Sequence, residues 1–234
     1  MKLTGVSFSY GETVIFDKFD GEFADRKITC VLGPSGCGKT TLLYLLAGLY
    51  RPQSGGIEGA GRPSCVFQEP RLIPQKTAVQ NLDFVLRKPF PDKAERENVI
   101  DGYLTLAGLH EARNLYPHEL SGGMAGRLSL IRAFAYPSDT LLLDEPFGGL
   151  DAELKRRLTG EFLKLWERER RTVIFVTHDV DEALIVGDCA RVYGGNPMRL
   201  KKNIDLCGEK GEGRLYGAEA DRAKREIFAA LDAQ

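Results

Sequence analysis

No stretch of this 234-residue chain stays apolar for long. A membrane-crossing helix needs about 20 apolar residues in a row. The richest runs, Ile28–Leu32 and Leu141–Leu143, have the length of strands. The opening residues, Met1-Lys2-Leu3-Thr4-Gly5, lack the apolar core of a secretory leader. The expectation is a cytoplasmic protein that meets a membrane only through a partner. Excess charge is also missing. The 32 Lys and Arg against 33 Asp and Glu leave a formal net charge of −1. No basic field gathers nucleic acid, and no nucleic-acid partner is expected. The five cysteines, at 30, 37, 65, 189 and 207, are odd in number and lack C-x-x-C spacing. That fits reduced thiols rather than a disulfide frame or a zinc site. Repeats and low-complexity segments are absent.

What is present is an alternation of strand-like and helix-like segments, the pattern of an α/β fold with a largely parallel core sheet. Val6–Tyr10 and Val14–Phe16 flank a Gly11-Glu12 turn and predict short antiparallel strands. Ser64–Phe67, Thr140–Asp144 and Thr172–Thr177 read as buried strands. From Thr77 to about Leu115 the pattern is helical, with capping boxes expected at Thr77/Gln80 and Asp92/Glu95. Ser121 and Asp151 open further helices, the second with Leu154, Leu158, Phe162 and Leu165 on one face. Asp179–Val186 is a short helix. Arg191–Leu206 reads as a hairpin around Gly194-Gly195-Asn196-Pro197, and a charged helix follows from about Ala218. These segments predict a strand-rich core over about 1–76 and 137–206. An inserted helical subdomain covers about 77–136, and a C-terminal helix about 216–234.

The motif Gly33-Pro34-Ser35-Gly36-Cys37-Gly38-Lys39-Thr40 is a full G-x-x-x-x-G-K-[ST] phosphate-binding loop between a strand and a helix. The glycines let backbone N–H groups curl around phosphate oxygens, and the helix start adds partial positive charge. Lys39 is expected on the β- and γ-phosphates and the Thr40 hydroxyl on Mg²⁺. Thr41, next in the helix, is counted among the nucleotide-binding residues. Lys39 and the helix start are also expected to favour a thiolate at Cys37. The strand ending in Asp144-Glu145 offers one carboxylate for Mg²⁺, opposite Thr40, and a second for activating water. Leu120-Ser121-Gly122-Gly123-Met124 is a second anion-binding helix start. One nucleotide needs only one such start.

With these motifs in this order, the chain resembles the ATP-binding cassette (ABC) ATPases over nearly its whole length. The signature motif of that family matches Leu120–Gly123, so Ser121, Gly122 and Gly123 are implied nucleotide contacts. The resemblance also implies a catalytic and metal-binding Gln68 in Val66-Phe67-Gln68-Glu69-Pro70. It further implies a switch histidine at His178, an interface loop at Gly149-Leu150-Asp151, and an adenine-stacking aromatic at Tyr10. The implied fold is a P-loop NTPase core with an antiparallel β subdomain and an inserted helical subdomain. Two copies would sandwich two ATP molecules, with Ser121 of one facing the γ-phosphate held by Lys39 of the other. Glu145 is the implied catalytic carboxylate, and the implied cofactors are ATP and Mg²⁺.

The segments 67–74, 120–124 and 144–151 look like bacterial importers, and within them like the nitrate, sulfonate and taurine branch. Gly195-Asn196-Pro197-Met198-Arg199 is similar to that branch too. Separate membrane permease subunits, contacted near Arg71–Lys76, and an external or lipoprotein solute-binding protein are the implied partners. The competing expectation is a soluble ABC ATPase acting on a non-transport assembly. Ala125-Gly126-Arg127 departs from the polar run usual after the signature, and Gly126 weakens its helix by up to ~1 kcal/mol. A C-terminal regulatory domain is not expected.

Overall fold

The computed structural model describes residues 1–59 and 61–232; the last two residues of the expected C-terminal helix lie outside them. The chain opens as an antiparallel pair, β1 (Lys2–Tyr10) and β2 (Thr13–Glu22), with β4 (Ser54–Glu58) added on the other edge of β1. The second sheet has the order β5 (Ser64–Val66), β6 (Thr140–Asp144), β7 (Thr172–Val176), β3 (Ile28–Leu32), β8 (Cys189–Gly194), β9 (Arg199–Asp205). Neighbours from β5 through β8 are parallel, and β9 returns antiparallel on β8.

Strands β3, β6 and β7 are buried along their whole length, which is why they read as unbroken apolar or β-branched runs. The two-residue period still sorts their side chains. Leu142 and Ile174 face α1 (Lys39–Leu46) and the antiparallel sheet; Leu141, Leu143, Val173 and Phe175 face α5 (Ala152–Glu169) on the other side. On α5 the buried stripe is Leu158, Phe162, Leu163 and Trp166, with Leu154 and Leu165 half-covered. On the same side of the sheet α6 (Val180–Val186) packs by β3, and α7 (Ala218–Asp232) by β8, β9 and α6.

A third core belongs to helices. Leu82 and Leu86 of α2 (Ala78–Leu86), Ile100 and Leu104 of α3 (Lys93–Leu106), and Leu128 and Ile131 of α4 (Gly122–Ala135) pack together. The helical run from Thr77 is therefore two helices. At Thr77 the capping box is reciprocal, with Gln80 returning its side chain to the Thr77 N–H. At Asp92 only the carboxylate participates, accepting from the Glu95 N–H at 2.8 Å. The C-terminal helix starts at Ala218, where the charged pattern begins, after a 3₁₀ turn at Glu212–Leu215.

Candidate functional site

Ligands of open parallel sheets sit at the carboxyl ends of the strands, where strand order reverses. Here β3 lies between β7 and β8, and four neighbouring strands release the candidate residues at that one edge. Along the sheet, β5 leads to Gln68, β6 ends in Asp144-Glu145, β7 leads through Thr177 to His178, and β3 runs into the phosphate loop. The residues are far apart in sequence, and parallel pairing brings them side by side.

The loop turns under the tip of β3. A Cβ on Gly33 would stand 2.5 Å from the Tyr193 carbonyl oxygen, and one on Gly38, at φ +110°, 2.8 Å from Ile15 Cγ2. Both positions exclude a side chain, so the motif's outer glycines answer to close approach as well as to conformation. Lys39 folds back across the loop, its Nζ donating to the Gly33 and Pro34 carbonyls at 2.8 Å each. That holds its ammonium against the first two residues of the loop. The Thr40 hydroxyl donates to Asp144 Oδ2 at 2.8 Å. Ser35 and Gly36 form the exposed lip of the loop, and Thr41 is buried beneath it.

Asp144 is 3 % exposed. Burial raises its pKa from the ordinary aspartate value; the Thr40 hydrogen bond opposes this and the neighbouring Glu145 adds to it. A buried carboxylate joined to an alcohol oxygen is a hard, anionic oxygen set, the kind that suits Mg²⁺. Among the described residues there is no cluster of three or more His, Cys, Asp or Glu side chains fit to hold a metal alone. The remaining ligands would come from phosphate and water, as is common for Mg²⁺.

Glu145 adopts φ +48°, a conformation that costs a non-glycine residue roughly 1–2 kcal/mol. Its N–H donates to the Val176 carbonyl at 2.9 Å, and its carbonyl accepts from the Gly148 N–H at 3.0 Å. Those bonds hold the strained turn and aim the carboxylate at His178, whose Nδ1 lies 3.0 Å from Glu145 Oε1. The imidazole is otherwise exposed.

Gln68 and Glu145 line one cleft of about 270 Å³, together with Gly148, Gly149 and the α4 residues Gly122 and Gly123. No residue of the phosphate loop lines that cleft. Ser121 caps α4, accepting from the Met124 N–H at 3.2 Å, and is exposed. Asp151 caps α5 in the same way, accepting from the Leu154 N–H at 3.0 Å, and is also exposed. The structure thus joins the loop to Asp144 through Thr40, and Glu145 to His178, at neighbouring strand ends of one sheet edge. Gln68 joins Glu145 in a shared cleft. Ser121 and Asp151 are exposed, and their chain neighbours Gly122 and Leu150 line that same cleft.

Tyr10 remains 45 % exposed at the end of β1, with its hydroxyl 3.4 Å from Thr41 Oγ1. It meets Phe8 and Tyr50 edge-on, at 5.1 and 5.9 Å between ring centroids. Tyr50 meets Tyr44, Tyr44 meets Phe67, and the Arg71 guanidinium lies 4.0 Å above the Phe67 ring. This aromatic row joins the Tyr10 platform to the segment after Gln68. Nothing in the local sequence marks it, because its members come from β1, α1 and the separate loops that follow α1 and β5.

Cys37 corrects one expectation. Its thiol is 6 % exposed, and burial raises its pKa above the ordinary 9.0 despite the opposing Lys39 charge and backbone N–H bonds. Desolvation outweighs the nearby positive charge.

The sequence profile of the ABC transporter family matches residues 16–148. A nitrate import ATP-binding protein of Synechococcus elongatus is 43% identical over 68% of this chain and 62% of its own length. An aliphatic sulfonates import ATP-binding protein of a Mycobacterium species is 38% identical over 86% and 82%, and a taurine import ATP-binding protein of Pelagibacter ubique 38% over 84% and 77%. The dimeric structure of the bacterial ABC transporter cassette MJ0796 superposes with a TM-score of 0.79 at 26% identity, covering 89% of this chain and 99% of that one. The same cassette in a post-hydrolysis state bound to ADP and Pi gives 0.78.

Proposed function

This chain belongs to the ABC transporter family and is an ATPase, and from that premise we propose that it energises a bacterial importer of nitrate, a sulfonate, taurine or a similar small solute. The observation that carries the catalytic part is the single edge where the phosphate loop, Asp144, Glu145 and His178 meet. The importer part is supported by relatives named for nitrate, sulfonate and taurine import. Among the described residues no helix is long and apolar enough to cross a membrane. This reading therefore requires permease subunits on other chains, docked near Arg71–Lys76, and a solute-binding protein that acts through them. The cassette then works at the cytoplasmic face of the membrane.

In this reading ATP lies on the loop with its adenine against Tyr10. Thr40 and Asp144, assisted by Gln68, would hold Mg²⁺, which when bound would offset phosphate charge. Lys39 donates to the β- and γ-phosphates. A water attacks the γ-phosphorus, the bond to the β–γ bridging oxygen breaks, and Glu145 takes the water's proton. His178 fixes the Glu145 carboxylate and the water. The α4 N-terminus of a second copy, with Ser121 and Gly122-Gly123, stabilises the charge that spreads over the γ-phosphoryl oxygens. Asp151 of each copy lies at the junction.

The test is purification of the tagged chain from its source cells. Co-purification with an integral membrane permease, and an ATPase rate that rises when the solute-loaded binding protein is added to the reconstituted complex, supports the importer. Recovery with a soluble assembly, and no permease, overturns it.

A further inference from the structure

We infer that Lys155 is a positioning residue that ties the first turn of α5, and with it Asp151, to the turn that carries His178. The inference rests on the proposed part of His178 in hydrolysis. Lys155 lies one helical turn after Asp151, and its backbone N–H donates to the Asp151 carbonyl at 2.9 Å. Its side chain leaves α5 and ends between two carboxylates near α6. Nζ is 2.6 Å from Asp179 Oδ2 and 2.6 Å from Glu182 Oε1.

Both anions hold the residues that flank His178. The other Glu182 oxygen accepts the Thr177 hydroxyl hydrogen. Thr177 Oγ1 in turn accepts from the Asp179 N–H at 3.0 Å. The other Asp179 oxygen accepts from the N–H groups of Asp181 and Glu182, at 2.8 and 3.2 Å. The residues immediately before and after His178 are thus fixed by one network, and the cation at its centre comes from another helix. The second cation nearby, Lys224 of α7, pairs with Asp181 at 2.9 Å.

The imidazole has little else to hold it. His178 is 72 % exposed and, among the described residues, its ring hydrogen-bonds to Glu145 alone. Its direction follows from the backbone at 177–179. Glu182, by contrast, is 6 % exposed, so loss of its cation leaves a buried charge uncompensated and the network must rearrange. Burial disfavours charge at Asp179 and Lys155 alike, yet their mutual hydrogen bond and attraction hold the acid's pKa low and the amine's high. Asp151 lies on the surface proposed to meet a second copy. A shift of that loop on closure has a short, charged path to His178, through one lysine side chain.

The test compares Lys155→Met, Lys155→Arg and the double variant Lys155→Met with Glu182→Gln. The expected result for Lys155→Met is a kcat lower by about tenfold or more, the scale seen when a supporting group behind a reactive one is lost. KM should stay within about threefold, since the nucleotide's direct contacts are intact. The chain has three histidines, so the His178 ring signals are resolvable by NMR and identified by their loss in His178→Gln. They should shift or broaden in Lys155→Met and return in Lys155→Arg, together with the rate. The double variant removes the stranded charge. Its melting temperature should recover towards wild type while kcat and the ring signals remain perturbed. A rate that recovers along with the melting temperature makes Lys155 a stabilising residue only and overturns the inference. Unchanged ring signals in Lys155→Met overturn it as well. A wild-type rate in His178→Gln removes the catalytic reading itself, and the ring signals still decide whether the tether exists.

Discussion

Nδ1 of His178 stands 3.0 Å from Oε1 of Glu145, across the adjacent carboxyl ends of β7 and β6. The two residues are 33 positions apart in the chain, and parallel pairing of their strands sets the distance. Glu145 accepts its strained φ of +48° in reaching it. Non-glycine residues held in such conformations cluster at functional sites.

Glu145→Gln should keep ATP binding and lose steady-state hydrolysis. The amide preserves size and can still meet His178, but it takes a proton poorly. The rate should fall by about 10²-fold or more, the scale of general-base removal. ATP should then hold two chains together, seen as a shift to dimer in size-exclusion chromatography with nucleotide. A wild-type rate in the variant rules out Glu145 as the base.

The phosphate loop was legible because everything it needs is local: a buried strand before it, glycines within it, a helix after it. The Thr140–Asp144 strand and the caps at Thr77, Ser121 and Asp151 were legible for the same reason. Strand β4 was not. Ser54–Glu58 carries Gly55 and Gly56, is largely exposed, and has no apolar alternation; its pairing with β1 alone makes it a strand. The sheet order β5-β6-β7-β3 is equally absent from any local pattern, since four separated segments choose one another through burial. Cys37 was misread because sequence shows the neighbouring lysine and not the desolvation. The bond from Lys155 to Asp179 spans 24 residues and has no sequence signature.

Asp144→Asn should fold, because the amide oxygen can still accept from the Thr40 hydroxyl. It should fail as a cation ligand. Calorimetric titration of wild type should show tighter ATP binding with Mg²⁺ than with EDTA, and the variant should lose that difference. Hydrolysis should drop by roughly two orders of magnitude, since several kcal/mol of charge stabilisation depend on the cation. An undiminished Mg²⁺ effect on binding shows that the ion is held elsewhere.

Cys37 should alkylate slowly at neutral pH and Cys207 quickly. Cys207 is exposed, whereas Cys37 is buried with its pKa raised above 9.0. The thiolate is the reactive form, so a raised pKa moves the increase in Cys37 labelling to alkaline pH. Mg-ATP should slow it further by covering the loop, and labelled protein should lose ATPase activity. Peptide mapping after labelling at pH 7 and pH 10, with and without nucleotide, gives each rate. Fast labelling of Cys37 at pH 7 contradicts the buried thiol, and equal labelling with and without Mg-ATP means that nucleotide does not cover this loop.

The active site should be composite, with Lys39 and Ser121 supplied by different copies. Two helix starts suited to anions occur in the chain, and the cleft at the start of α4 includes no phosphate-loop residue. Take one copy with Lys39→Ala and another with Ser121→Arg, each inactive as a homodimer. In the mixed dimer, one site joins the broken loop to the broken signature, and the other joins intact Lys39 to intact Ser121. If both elements served a copy's own site, every site in the mixture would stay defective. Assembly across the junction predicts one competent site, read as occlusion of Mg-ATP at about one nucleotide per dimer, half the sites of a symmetric ATP sandwich. Occlusion is the better readout, because hydrolysis at one site can depend on the other. Verified mixed dimers that occlude nothing, beside a wild type that occludes normally, place Lys39 and Ser121 in the same copy's site.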